Sequence, residues 1–315
     1  MDDKTILIDG NNLLYRTFWA ANYKTDGEDP NRGIYIFLKA VKSYADKFAP
    51  WQNIYCVWDK RLAYPQKNFR SEVCETEYKG GRNKEKFKNV FDSLDQIIDI
   101  LKHLGVHNFY PWRMEADDAI SWLANTIEGE KIIISTDKDM LQLVNFNVKI
   151  FNPISKKIIE EDNFQEITGL KNPKDYFWYR CFTGDKSDNI DGIKRFGLKT
   201  YQKLTQDWNL KNIEDLNLNN DQKVIVERNQ QLMDLNIGYN YYPEETVTYR
   251  AQYMQNWKRN IFMEAFIGHC KSLNFHSIVR NAHDWQNSFQ TNQASGLHKS
   301  INIIKERITN NVKST

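Results

Sequence analysis

The chemistry of this chain is concentrated in residues 110–139, YPWRMEADDAISWLANTIEGEKIIISTDKD, which carry Glu115, Asp117 and Asp118 before an apolar helical pattern and Asp137 and Asp139 after the apolar run Ile132–Ile134. Acids in the first turn of a helix are ordinarily explained by the helix dipole. That explanation covers one or two acids. It does not cover three, followed within one strand by two more at the strand's tip. Carboxylates this crowded repel one another unless cations sit between them, and hard divalent ions such as Mg²⁺ take oxygen ligands of this kind. The stretch therefore predicts half of a cradle for divalent metal ions.

Two more acids end apolar runs. KTILID closes on Asp9 before Gly10-Asn11-Asn12, and NIYCVW is followed by Asp59. Parallel strands would bring both to one edge of a sheet, where open α/β folds place their sites. For Asp9 alone, capping of a helix that starts near Asn12 is an equal reading. Further on, GDKSDNIDGIKRFGLKT holds Asp185 and Asp188, three apart as in a helical turn. Gly192 and Gly197 bound Ile193-Lys194-Arg195-Phe196, and Lys199 and Thr200 follow. Backbone N–H groups exposed between two glycines can hold a phosphate, and the cations suit the same contact. Residues 60–90 carry nine basic side chains against four acidic ones, interleaved with Phe69, Tyr78 and Phe87. That mixture fits a surface holding a sugar-phosphate backbone and stacking bases, although a charge run by itself is more often a solvated loop.

These residues need a scaffold, and the apolar periodicity supplies one. Residues 4–9, 53–58, 106–111 and 132–134 read as strands. NVKIFN and KKIIE read as a strand pair turning at Pro153. Helical spacing is predicted over 33–48, over 90–104 with Gly105 as its stop, and from 115 with Ile120, Leu123, Ala124 and Ile127 inward. Helices are also predicted over 175–183, 221–238, 262–273 with Gly268 as a minor break, and 301–308. Residues 284–300 are polar and predict a mobile segment. His269 and His276 lack metal-ligand spacing and read as packed or exposed side chains. Strands alternating with helices predict an α/β fold, and no internal repeat is present.

Composition limits the function classes. With 315 residues, 41% hydrophobic and 27% charged, the chain has the make-up of a globular protein of one large or two medium domains. A net charge of +2 makes any nucleic-acid interface a matter of local patches. Cys56, Cys74, Cys181 and Cys270 form no C-x-x-C pair, so reduced thiols are expected in place of disulfides or a zinc site. A strand pattern starting at residue 4 leaves no room for a signal peptide. No apolar run reaches membrane-spanning length, so no membrane partner is expected.

Taken together, ILIDGNN, VWD, FR…YKGGR, EADD, STDKD and GDKSDNI-GIKRFG-KT resemble the 5′ nuclease (flap endonuclease) superfamily over residues 4–204. The pattern is similar to the bacteriophage 5′→3′ exonucleases, including the phage enzymes called RNase H, and to the 5′ nuclease domain of bacterial DNA polymerase I. The resemblance implies a PIN-like α/β domain at 1–183, a mainly parallel sheet flanked by helices, with a helical arch at about 60–90. It also implies a helical DNA-binding region at 184–315 containing a helix-three-turn-helix element at about 184–204. Asp9, Asp59, Glu115 and Asp117 would hold a first Mg²⁺. Asp137, Asp139 and Asp185 would hold a second, with Asp118 and Asp188 in or near the shells and Mn²⁺ as a substitute. Lys79 and Arg70 would contact the scissile phosphate from the arch, with Tyr78 and Arg82 beside them. Gly192, Lys194, Arg195, Gly197, Lys199 and Thr200 would grip duplex DNA, with K⁺ at the 192–197 hairpin. The implied activity is Mg²⁺-dependent 5′→3′ exonuclease and 5′-flap endonuclease action on DNA and on RNA primers annealed to DNA, in replication. The implied setting is a cytoplasmic monomer, in the host cytoplasm if phage-encoded, with a single-strand-binding protein or a polymerase as possible company. Competing readings are a PIN-type endoribonuclease, which would not need the 192–197 hairpin, and a non-catalytic DNA-structure binding protein, which would not need a complete acid set.

Overall fold

The computed structural model describes residues 4–22, 29–59, 69–73, 93–111, 113–205, 218–238, 250–252 and 260–290. Its centre is a six-stranded sheet in the order β3-β2-β1-β4-β5-β6. The strands are β1 (Thr5–Asp9), β2 (Asn53–Val57), β3 (His107–Phe109), β4 (Lys131–Ile134), β5 (Val148–Asn152) and β6 (Lys157–Ile159). The first five run parallel, and only β6 is antiparallel. β1 lies between β2 and β4, pairing Asp9 with Val57 and Ile8 with Ile134. The carboxyl ends of these three strands therefore open on one edge.

The continuous apolar runs are explained by burial on both faces. Leu7, Tyr55, Val57, Phe109, Ile133 and Ile150 point into one apolar cluster. Ile6, Ile8, Ile54, Cys56, Ile132 and Ile134 point into the other, as the period of two requires. The first cluster is closed by α5 (Ala116–Thr126), α7 (Pro173–Thr183) and α9 (Asn220–Met233). The second is closed by α1 (Gly10–Asn22), α2 (Pro30–Lys47) and α4 (Leu94–His103). Further helices among the described residues include α3 (Phe69–Val73), α6 (Glu161–Thr168), α8 (Leu198–Thr205), α10 (Met263–Ser272), α11 (His276–Arg280) and α12 (282–290). α2 starts where Asp29 Oδ1 accepts from the N–H groups of Asn31 and Arg32, with Pro30 in the first turn.

The C-terminal helices differ from expectation in two places. Gly268 does not interrupt α10, which runs unbroken through it. The polar stretch from 284 begins as helix, because Trp285 and Phe289, 2% and 0% exposed, anchor α12 in the second cluster beside Phe266 and Phe275. Two aromatics four apart outweigh the polar residues between them. Residues 291–315, including the helix expected at 301–308, lie outside the described residues, as does most of the expected arch at 60–90. His269 packs against His103, with ring centroids 5.1 Å apart, and His276 is exposed. Cys56, Cys181 and Cys270 are buried free thiols. Among the described residues no helix is long and apolar enough to cross a membrane.

Candidate metal centre

Asp9 ends β1 at the open edge and is 5% exposed. Its Oδ1 accepts from the Asn12 N–H at 3.0 Å, and its Oδ2 accepts from Ser135 Oγ at 2.8 Å. Both readings of Asp9 thus hold at once, since it caps α1 and faces the other strand-end acids. Burial pushes its carboxyl up to about 7, with the charges of Asp137 and Asp59 adding to the effect and the bonds from Asn12 and Ser135 offsetting part of it. Asp59, two residues past β2, accepts on Oδ1 from the Ala116 N–H at 2.7 Å, which ties it to the start of α5. Its own N–H donates to Asn11 Oδ1 at 2.9 Å.

The loop after β4 is equally pinned. Thr136 donates through N–H and hydroxyl to Asn12 Oδ1 at 3.2 and 2.9 Å. The Asp137 N–H donates to Ser135 Oγ at 3.0 Å, and the Asp139 N–H to Asp137 Oδ1 at 2.8 Å. Asp139 begins the 3-10 turn Asp139–Leu143 and is also held at about 7, by burial first and then by Asp137 and Asp185, against the pull of Arg180. Asp137 is thus a charged neighbour of both Asp9 and Asp139.

Arg180, on α7, spans the remaining gap. Its Nε and Nη2 donate to Asp139 Oδ1 at 3.1 and 2.8 Å, and Nη2 also donates to Asp185 Oδ2. Asp185 receives two further bonds on Oδ1, from Ser187 N–H at 2.7 Å and Ser187 Oγ at 2.6 Å. Burial raises the Asp185 carboxyl, but Ser187 and Arg180 outweigh it and the net shift is downward. Asp139 and Asp185 therefore shift in opposite directions while sharing one guanidinium, because Asp139 also meets the charges of Asp137 and Asp185 whereas Asp185 takes two bonds from Ser187. Arg180 was not singled out from the sequence. The signal was present: a charge inside the apolar run DYFWYRCFT must meet an opposite charge when it is buried.

Two expected site residues take other tasks. Arg70 is 2% exposed. Its Nη1 and Nη2 grip Asp118 at 2.6 and 2.7 Å, Nη1 also reaches Glu115 at 3.2 Å, and Nε donates to the Leu232 carbonyl at 2.7 Å. These bonds engage the guanidinium with the framework, away from the arch role expected for it. Asp118 is fully buried, with its Oδ2 also taking the Glu115 N–H at 3.0 Å. In this structure it is the counter-ion of Arg70. Burial raises its pKa, and the arginine recovers part of the shift. The pair braces the N-terminus of α5 and so sets Glu115 and the half-exposed Asp117 at the edge. Lys79, Tyr78 and Arg82 lie outside the described residues.

The acids form two groups joined through Asp137. Among the described residues no three His, Cys, Asp or Glu side chains close into a ready-made metal shell, and the cation meeting Asp139 and Asp185 is Arg180. The donor set is nonetheless all carboxylate oxygen, with two members driven toward protonation by burial and neighbouring acids, and that chemistry fits a hard divalent ion. Residues 184–197 hold β7 (Gly184–Asp185), the 3-10 turn Lys186–Asp188 and β8 (Ile190–Asp191). Asp188 is half-buried in that turn. A turn then closes from the Phe196 N–H to the Ile193 carbonyl at 3.2 Å, with Arg195 at φ 61°. Lys194, Arg195, Lys199 and Thr200 are exposed, while Gly192 and Gly197 are half-buried.

Residues 4–169 match the model of the 5′-3′ exonuclease N-terminal resolvase-like domain. A 5′-3′ exonuclease of Buchnera aphidicola from Acyrthosiphon pisum is 34% identical over 227 residues, 71% of this chain and 76% of that protein. The thermostable DNA polymerase I of Thermus thermophilus is 31% identical over 211 residues, 65% of this chain but 24% of the polymerase. In fold, the chain is similar to the bacteriophage T5 D15 flap endonuclease, solved as a pseudo-enzyme-product complex with DNA and metal ions. The TM-score is 0.63 at 20% identity, covering 81% of this chain and 99% of that one.

Proposed function

From the premise that the chain belongs to the 5′-3′ exonuclease family and is a phosphodiester-hydrolysing nuclease, we propose that it is a divalent-metal-dependent, structure-specific enzyme. Its substrates are DNA with a 5′ flap or a free 5′ end and RNA primers annealed to DNA, and its setting is primer removal in replication. The observation that carries this reading is the meeting of Asp9, Asp59, the start of α5, Asp137 and Asp139 at one sheet edge, with Asp185 joined to them through Arg180. The DNA and metal ions of the T5 D15 complex support the same substrate class.

Asp9, Asp59, Glu115 and Asp117 would hold one Mg²⁺, and Asp137, Asp139 and Asp185 a second, with Asp188 beside them and Mn²⁺ as a substitute. When bound, such ions activate water and neutralise charge on the phosphodiester. The chain's own part is to fix the ligands beforehand. Asn12 and Ser135 orient the two oxygens of Asp9. The Arg70–Asp118 pair fixes the α5 terminus. Arg180 holds Asp139 and Asp185 together while offsetting their repulsion. Lys79, flanked by Tyr78 and Arg82, would lower the cost of charge building on the phosphate. The exposed Lys194, Arg195, Lys199 and Thr200 would hold duplex backbone without reading sequence, with K⁺ at the 192–197 turn.

The deciding experiment is a time course on a 5′-labelled flap duplex, with and without Mg²⁺, beside an RNA hairpin. Mg²⁺-dependent release of the 5′ product from the flap is expected. Cleavage of the RNA hairpin alone, or none with Mg²⁺ present, would overturn the reading.

A further inference from the structure

The strand-end loops carry Asp9, Asp59, Asp137 and Asp139, whereas Arg180 lies on α7 and Asp185 just past its end, both off the strands and bonded to the sheet edge through Asp139. Something else must set their position, and the bonds of α9 identify it. Asn229 is fully buried, and its Nδ2 donates to two carbonyls, Cys181 at 2.8 Å and Asp191 at 2.9 Å. Cys181 follows Arg180, and Asp191 lies opposite Gly184 in the two-stranded ladder that pairs Asp185 with Ile190. One amide therefore ties both sides of the Arg180–Asp185 contact to α9. Arg228 repeats the link, donating to the Asp191 carbonyl at 2.6 Å and orienting Asn229 Oδ1 at 2.9 Å. The ladder has no slack, because a side-chain carbon at Gly184 or Gly192 would collide with neighbouring backbone.

The same helix end holds the other acid-bearing elements. The Leu232 carbonyl accepts from Arg70, which carries Asp118 and Glu115. Gln142 Nε2 joins the Asp139 carbonyl to the Met233 carbonyl, both at 3.0 Å, and its Oε1 accepts from the Leu235 N–H at 3.2 Å. Asn236 Oδ1 accepts from Ser121 at 2.8 Å and Asn125 at 3.0 Å, both on α5. The elements that carry Glu115, Asp118 and Asp139, and the ladder that holds Asp185, are thus each bonded to residues 228–236.

We infer that Asn229, supported by Arg228, is a positioning residue that sets Asp185 and Arg180 against Asp139, and that α9 is the platform on which the second cation site is assembled. This rests on the proposed metal-dependent reading of the acid cluster. Groups behind metal ligands orient those ligands, and their loss typically weakens metal binding about 10-fold or more.

The test is a calorimetric Mn²⁺ titration of the full chain without nucleic acid, comparing wild type, Asn229→Ala and Arg228→Ala, with Asp185→Asn identifying the binding step that Asp185 carries. Asn229→Ala is expected to weaken that step about 10-fold, and Arg228→Ala by a smaller factor of about 3, while the remaining step stays unchanged. On a 5′-flap duplex kcat should fall with KM preserved, a split that general loosening of the fold would not give. Unchanged Mn²⁺ binding in folded Asn229→Ala overturns the inference. If that variant does not fold, unchanged binding in Arg228→Ala overturns it. If the wild type cleaves no flap DNA, the proposed nuclease substrate fails instead, and the Mn²⁺ titration still decides the role of Asn229.

Discussion

Replacing Arg70 with methionine tests whether that arginine belongs to the substrate site or to the framework. The substitution keeps most of the aliphatic stem and removes the charge. Asp118, 0% exposed, would be left with the Glu115 N–H as its remaining donor among the bonds described above, and the Leu232 carbonyl would lose a donor as well. Breaking a buried ion pair by removing one member costs about 3–5 kcal/mol, because the surviving charge stays in a poorly solvated place. At about 2–4 °C per kcal/mol for a domain of this size, the melting temperature should fall by roughly 6–20 °C. Asp118→Asn alone should cost less, since Arg70 keeps Glu115 and the Leu232 carbonyl. In the double variant no charge is stranded at position 118, so the two losses should fall short of additivity by about 1–3 kcal/mol. Urea unfolding of the four proteins, followed by circular dichroism, measures this directly. If Arg70→Met unfolded at the wild-type urea concentration while losing cleavage, the framework role would be refuted and a phosphate contact restored.

Other expectations concern the acids and the basic segment. Asp137→Asn or Asp185→Asn should abolish cleavage of a 5′-flap duplex and leave binding, measured by gel shift, largely intact; normal turnover in either would remove the cradle. Lys79→Ala should slow cleavage about tenfold or more, equivalent to about 1.4 kcal/mol per decade, in single-turnover kinetics. The pH dependence of stability follows from Asp9 and Asp139, whose carboxyls stand at about 7 in the fold. A raised carboxyl pKa means that the folded chain holds protons the unfolded chain has released, so the contribution is complete below the ordinary carboxylate range and is lost as pH rises through about 7. Without divalent ions the melting temperature should therefore be higher near about pH 5.5 than near about pH 8, and added Mg²⁺ should raise it more at the higher pH. A Mg²⁺ effect equal at both pH values would contradict this.

The sheet and its acid edge were legible because each rests on a local pattern. Apolar runs ending on Asp9, before Asp59 and before Asp137 define strands and a polar edge together, and parallel pairing leaves little freedom in where those ends meet. What was not legible depends on contacts distant in sequence. Arg70 reads as one more cation in a basic segment, and only its approach to Asp118, 48 residues away, shows that it is internal. Asn229 belongs to an ordinary polar helix, and its task depends on carbonyls 38 and 48 residues earlier. Trp285 and Phe289 are diluted by Gln, Asn and Ser, so composition concealed an anchored helix.

The second face of the sheet is completed by residues far beyond the stretch that carries the acids. Phe266, Cys270, Phe275, Ile278, Trp285 and Phe289 lie against the same surface as Ile6, Ile54 and Phe37. A chain cut after about residue 205 would keep every candidate ligand and still expose to water the part of the second cluster that the C-terminal helices cover. Such a fragment would precipitate or stick to itself before its carboxylates could be assayed, so a failed minimal nuclease would say nothing against the chemistry of its edge.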